Sequence, residues 1–194
     1  MTTLKNSDVR YGWVSMAFHW AIVITLGLSI WYAYSRGFIP RKGPGLDPDI
    51  QRELRRAIMT VHFDWSWVVT GLVALRIFWQ FLTVKPRMIN DDHRLILVHK
   101  LVIGALAWMP ILLTVSGVGV IMSVARDTKA FGITVVPGFA ERNEELHDFM
   151  EVLHVGLWYF FAALALLHIA AALWHHVKKQ DETLKRMVPW GKVN

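Results

Sequence analysis

The amino-acid sequence predicts an all-α membrane protein, a four-transmembrane-helix up-down bundle with both termini cytoplasmic. Three observations carry that expectation. First, 54% of the 194 residues are hydrophobic and the mean hydropathy is +0.35, too apolar for an ordinary soluble domain. Second, four apolar stretches at about 14–34, 57–82, 99–122 and 150–176 are each long enough to cross about 30 Å of hydrocarbon as a helix. Third, there are ten Trp. Of these, Trp13, Trp20, Trp31, Trp79, Trp174 and Trp190 fall near the ends of the stretches, where an aromatic belt meets the membrane–water boundary.

Residues 1–13 read as a short polar tail. The first span is Val14–Tyr34. Lys5 and Arg10 ahead of an apolar run also suit a cleaved leader. The run has 21 residues, however, contains His19 and Trp20, and is followed by no small-x-small site, so a retained helix is expected. In the loop 35–56, Pro40, Gly43, Pro44, Gly45 and Pro48 break helix, and helix restarts within Ile50–Arg56. The second span ends near Leu82. Lys85 and Pro86 open a short loop in which Asn90, Asp91 or Asp92 can cap the third span. That span contains Pro110, expected to kink it, and Gly117 and Gly119, which permit close helix contact. A polar loop from Ser123 to His147, with Gly132, Pro137 and Gly138, leads to the fourth span and a charged tail, KKQDETLKRMVPWGKVN. No internal repeat is visible, and residues 1–194 are expected to form one domain.

Four spans bring both termini to one side. The termini and the middle connection hold Lys5, Arg10, Arg76, Lys85, Arg87, Arg94, Lys100, Lys178, Lys179, Lys185, Arg186 and Lys192. The other two loops hold Arg36, Arg41, Lys42, Arg52, Arg55, Arg56, Arg126, Lys129 and Arg142. The larger first group places the termini in the cytoplasm by the positive-inside rule. The formal charge of +6 is therefore read as a topology signal rather than a nucleic-acid footprint. The absence of cysteine excludes disulfides, thiolate-held iron–sulfur clusters, Cys-containing zinc sites and covalent c-type haem. Any redox metal must be held by His, Met or carboxylate.

The fourth span supplies the candidates. His147, His154, His168 and His175 recur every seven residues, with Phe161 on the vacant beat, so they share one helical face. Imidazole inside an apolar span is costly and points to function. Depth then sorts the histidines. His19, about one turn into the first span, matches His168; His62, about one turn into the second, matches His154. Two His–His pairs result, one per leaflet. Facing imidazoles across a bundle core can hold haem iron axially, so the pairs His19/His168 and His62/His154 suit two haems. Zinc, the competing reading, wants three or four ligands at one point. The bland reading is hydrogen bonding between helices, and for Phe161 a core aromatic.

Arg76 lies fourteen residues after His62, at the depth of the other pair. A haem propionate would satisfy it; snorkelling to the surface is the alternative. His99 competes with His19 as partner of His168. His99, Lys100, His175 and His176 gather at the same membrane face and suit a propionate contact or a proton-accepting quinone site, or are interfacial residues at helix ends. Asp64 reads as a solvated carboxylate or an aid to proton exchange, His147 as solvent-exposed, and His93 as a loop residue.

The segments RYGWVSMAFHW, VHFDWSW, FGITVVP and LHVGLWYFFAALALLHIAAALWHH followed by DETLKRM resemble the bacterial cytochrome b561 family of four-helix dihaem membrane proteins, over nearly the whole chain. The resemblance implies that His19, His62, His154 and His168 are haem ligands and that Arg76 matches a recurrent Arg closing the second span. It implies non-covalent haem b, a multi-pass inner-membrane location and electron exchange with ubiquinone or another membrane quinone. Where members often carry Gly four residues after the second- and fourth-span His, this chain has Ser66 and Trp158. Ser66 is small and harmless, whereas Trp158 must point away from the porphyrin or reshape its pocket.

The expected function is electron transfer between a periplasmic redox partner and the quinone pool. One rival is a superoxide:quinone oxidoreductase, for which Arg52, Arg55, Arg56 and Arg126 would draw in the anion. Another is a haem-b anchor for a larger redox complex. A third, of another class, is a haem-free transporter or scaffold.

Overall fold

The computed structural model describes residues 3–39, 47–88 and 92–191. Pro40, Arg41, Lys42, Gly43, Pro44, Gly45, Asn90, Asp91 and Lys192 lie outside these, and with them several of the expected breakers and caps.

Four long helices run α1 Trp13–Ser35, α2 Pro48–Phe81, α3 His93–Ser123 and α4 Glu144–Trp174. All four are long and apolar enough to cross a membrane. Three of them begin earlier than hydropathy places the spans, because their starts are set by caps. The Asp47 carboxylate accepts from the Asp49 N–H ahead of Pro48, Asp92 accepts from the Arg94 N–H, and Asn143 from the Leu146 N–H. Each such bond satisfies an end donor that the helix itself leaves unpaired. At 34 residues, α2 is about 51 Å long and projects well beyond the hydrocarbon. His93, expected in a loop, is the first residue of α3.

α1 packs along α2 and α3 along α4, and the two pairs join mainly where α2 meets α3. A Thr70–Thr114 hydroxyl pair at 2.7 Å ties α2 to α3, the kind of polar contact that binds helices in lipid. The tight core is small: Ile22, Val69 and Val73, with Leu26, Leu72, Ile77 and Ile111 against them. Pro110 is buried inside an otherwise continuous α3.

The two ends of the bundle are built differently. At one end the two tails and the α2–α3 connection interlace. Asn6 bonds Thr83 and Val84, the Arg87 N–H donates to the Asp8 carbonyl, Arg10 and the Trp20 indole donate to the Val188 and Met187 carbonyls, and Arg186 donates to the Arg87 carbonyl. Trp79, assigned to the aromatic belt by sequence, turns inward here and donates to Ser15 at 3.0 Å. At the opposite end the polar loop folds into an antiparallel hairpin, β1 Thr128–Ala130 and β2 Ile133–Val136. Its two-residue turn, Phe131–Gly132, has positive φ at both positions (50° and 84°), as a tight hairpin turn requires. α4 closes through a π-helical turn, His175–Lys179, and left-handed Gln180.

Candidate functional site

Two layers of histidine lie between the helices. The terminal layer, at the end where the tails meet, pairs His19 of α1 with His168 of α4. Their ring centres are 6.4 Å apart and their planes inclined by 76°. The hairpin layer brings His62 of α2 within electrostatic reach of His154 of α4. All four rings are half-buried. Between the layers, Phe161 is the one residue of α4 that is fully buried.

The hydrogen bonds behind the rings fix their tautomers. His62 Nδ1 lies 2.9 Å from the Ser29 carbonyl oxygen and 3.0 Å from the Ser29 hydroxyl. A carbonyl only accepts, so Nδ1 carries the proton and Nε2 keeps its lone pair. Ser66, read from the sequence as merely small, joins this set: its hydroxyl meets that of Ser29 at 3.0 Å and donates to the His62 carbonyl. His154 Nδ1 is 3.0 Å from the Ser116 hydroxyl, which itself donates to the Leu113 carbonyl. Such outer partners orient a metal-binding imidazole and raise its basicity. Gly117 makes room for the His154 ring; a Cβ there would stand 3.2 Å from Cε1.

His19 differs. Its Nδ1 is 3.1 Å from Nη1 of Arg76, and a guanidinium can only donate. Here Nδ1 accepts and the proton sits on Nε2. Arg76 is half-buried against this ring rather than snorkelled to the surface.

The remaining candidates divide. His99 is exposed at the start of α3, yet lies within electrostatic reach of His168 and His175; the ring in contact with His168 is that of His19. The His175 Nδ1–H donates to the Asp181 carboxylate, with the Thr183 hydroxyl nearby. Lys100 is exposed. His176 lines a cleft of about 410 Å³ against Leu184, Lys185, Val188, Trp190 and Gly191. His147 does not reach into solvent: it bonds the Ser123 hydroxyl at 3.2 Å and the Val120 carbonyl at 3.3 Å. Asp64 accepts from the Phe131 N–H at 2.7 Å and thereby anchors the hairpin turn. Trp158 turns inward, its ring on Phe161 and its indole N–H toward the Tyr34 hydroxyl of α1. Ser29, Ser116, Tyr34 and Asp181 carried no sequence signal beyond a polar group in an apolar span or a charged tail.

Comparison with known sequences identifies the family. Residues 10–190 match the family described as prokaryotic cytochrome b561, and the chain belongs to that family of haem-b-binding, multi-pass inner-membrane proteins. It is 28% identical to cytochrome b561 homolog 2 of Escherichia coli (strain K12), covering 96% of this chain and 95% of that one. It is 26% identical to the probable superoxide oxidase CybB of Yersinia pestis, covering 93% and 96%.

Proposed function

We propose that this protein carries electrons across the inner membrane between a periplasmic reactant and membrane quinone, through two haems b held one per layer. His19 and His168 hold one, His62 and His154 the other, with the termini on the cytoplasmic side. The observation that carries this reading is the separation of the histidines into two pairs that share α4, His19 with His168 in ring contact and His62 within electrostatic reach of His154. A metal ion held between two imidazoles by bonds of about 2.0–2.1 Å would need ring centres roughly 6 Å apart; the His19–His168 spacing is 6.4 Å.

Haem b supplies one-electron chemistry at its iron, and the protein supplies placement, burial and charge. His62 and His154 present Nε2 lone pairs because Ser29 and Ser116 occupy their Nδ1 sides. His19 would present Nε2 once Arg76 turns from Nδ1 to an anion, for which a haem carboxylate is suited, and the ring proton moves to Nδ1. Phe161, about 10 Å along α4 from each of its histidines, fills the space between the layers with an apolar ring. Near the tails, His99 and the His175–Asp181 pair place titratable groups where quinone chemistry needs protons.

Chemical determination of haem per protein tests this. Wild type is expected to hold about two haems, and His154→Ala and His168→Ala about one each. One haem in wild type breaks the two-layer reading, and the lack of a b-type absorbance band ends it.

A second reading, superoxide:quinone oxidoreductase, draws on the probable superoxide oxidase among the relatives. The structure trims its supposed anion funnel. Arg52 is paired with Asp49, and Arg55 donates to the Arg36 and Ile39 carbonyls. Arg56 and Arg126 remain exposed. Haem reduction by superoxide that slows in high salt and in Arg56→Gln supports this reading; no reduction sinks it.

A further inference from the structure

Resting on the two-layer reading above, we propose that Arg76 sets the order of the two redox potentials, making the terminal layer the electron sink and giving electron flow its direction from the hairpin layer to the terminal layer.

The charge around the two layers differs. Arg76 Nη1 touches His19 at 3.1 Å and also lies within electrostatic reach of His168, so it acts on both rings of the pair. A guanidinium is charged at every accessible pH. Among the described residues no carboxylate lies within ion-pair distance of it. The one carboxylate described near this layer, Asp181, bonds His175 and Thr183 rather than Arg76.

The hairpin layer carries no such charge in contact. Its rings are backed by the Ser29 carbonyl and the hydroxyls of Ser29, Ser66 and Ser116. The nearest formal charge along α2 is the negative one on Asp64, two residues from His62. The nearest cation along α2, Arg56, is six residues and about 9 Å away along the axis and is exposed; Arg55, one residue further, is turned to the carbonyls of the α1–α2 connection.

Reduction adds an electron to a site. A fixed cation in a low-dielectric interior favours the reduced form beside it, whereas imidazole N–H groups donating to carbonyl and hydroxyl oxygens make the rings richer donors and favour the oxidised iron. Both effects order the layers the same way. If Arg76 turns from His19 to a haem carboxylate, its positive charge still stays beside the terminal layer.

The test is an optical redox titration of purified protein in lipid nanodiscs. His62→Ala should keep the centre with the higher of the two wild-type midpoints, and His19→Ala the lower; the reverse order overturns the proposal. In Arg76→Gln protein that retains both haems, one midpoint should fall by at least the 59 mV that marks a tenfold change in a one-electron equilibrium. Arg76→Lys, which keeps the charge, should fall by less than half as much. Loss of a haem in Arg76→Gln, or equal falls in the two variants, overturns the proposal by showing that Arg76 holds the cofactor rather than tunes it. Two haems with unmoved midpoints in Arg76→Gln sink the tuning role alone, whereas a single haem in wild type sinks the two-layer reading beneath it.

Discussion

The terminal and hairpin layers use the same side chain to different ends. In the hairpin layer, each histidine is held by a small neutral partner on the neighbouring helix, Ser29 behind His62 and Ser116 behind His154. In the terminal layer a long cation, Arg76, stands behind His19. The first arrangement fixes a tautomer by close backbone approach and is rigid. The second fixes a charge and is adjustable, because an Arg side chain has several rotatable bonds. The lesson is that the position of a histidine reveals a potential ligand, whereas what lies behind it sets how that ligand behaves.

The largest effect expected from breaking this contrast is steric. Gly117 lets α3 approach α4 so closely that a Cβ would lie 3.2 Å from the His154 ring. Gly117→Val adds two methyl groups beyond that Cβ, against a ring that the adjacent Ser116 hydroxyl already holds close to α3. We expect it to cost about 1–3 kcal/mol of overpacking and to lose roughly one haem of two, leaving the terminal layer loaded. Gly119→Ala is the control. Its Cβ would meet the Met150 side chain at 2.8 Å, but Met is flexible enough to move. Haem content and thermal stability in detergent check both. A Gly117→Val protein with two haems removes the need for the cradle.

A smaller effect separates the two serines. Ser116→Ala leaves only the Leu113 backbone behind His154, and haem retention should weaken by about tenfold, the lower end of the effect of losing an outer partner. Ser29→Ala keeps the carbonyl 2.9 Å from His62 Nδ1 and should change retention less. Competition for haem by apomyoglobin measures both; equal losses would mean that the Ser29 hydroxyl, not its carbonyl, holds the ring.

How much of this was legible in the sequence follows from periodicity. Helix rise and repeat are fixed, so a seven-residue stripe and a comparison of depths suffice to bring His19 toward His168 and Arg76 to their level. The same arithmetic cannot say which of many serines lies behind a ring, because that depends on how two helices cross. Depth alone did not show that His147 faces Ser123, nor that Trp158 reaches across to Tyr34. Helix starts were missed where a cap lies outside the apolar run, as at Asp47 and Asn143. The hairpin left a fainter trace: Gly132 followed by Ile-Thr-Val-Val is a turn residue before a β-branched run, but Phe131 at positive φ is a rare choice that no composition rule anticipates.

The smallest expected effect concerns how the terminal layer is closed from water. Burial pushes the Asp181 carboxyl up, but hydrogen bonds from Thr183 and His175, and the His175 charge, outweigh that and hold it at about 2. Its folded value thus lies below the unfolded value of about 3.9. A depressed carboxyl stabilises the fold above its unfolded value and loses that contribution as the pH falls through its folded one. The segment 175–191 should therefore stay protected above about pH 4 and loosen between pH 4 and 2, while the hairpin end, which Asp181 does not touch, should not follow the same curve. Asp181→Asn keeps an acceptor for His175 and Thr183 but cannot titrate, so the pH dependence of that segment should flatten. Hydrogen exchange across 175–191 and 128–136 in wild type and Asp181→Asn reads this directly. Identical pH curves in the two proteins would mean that the tail is held by Arg10, Trp20 and Arg186 alone, and that the terminal end owes nothing to a carboxylate.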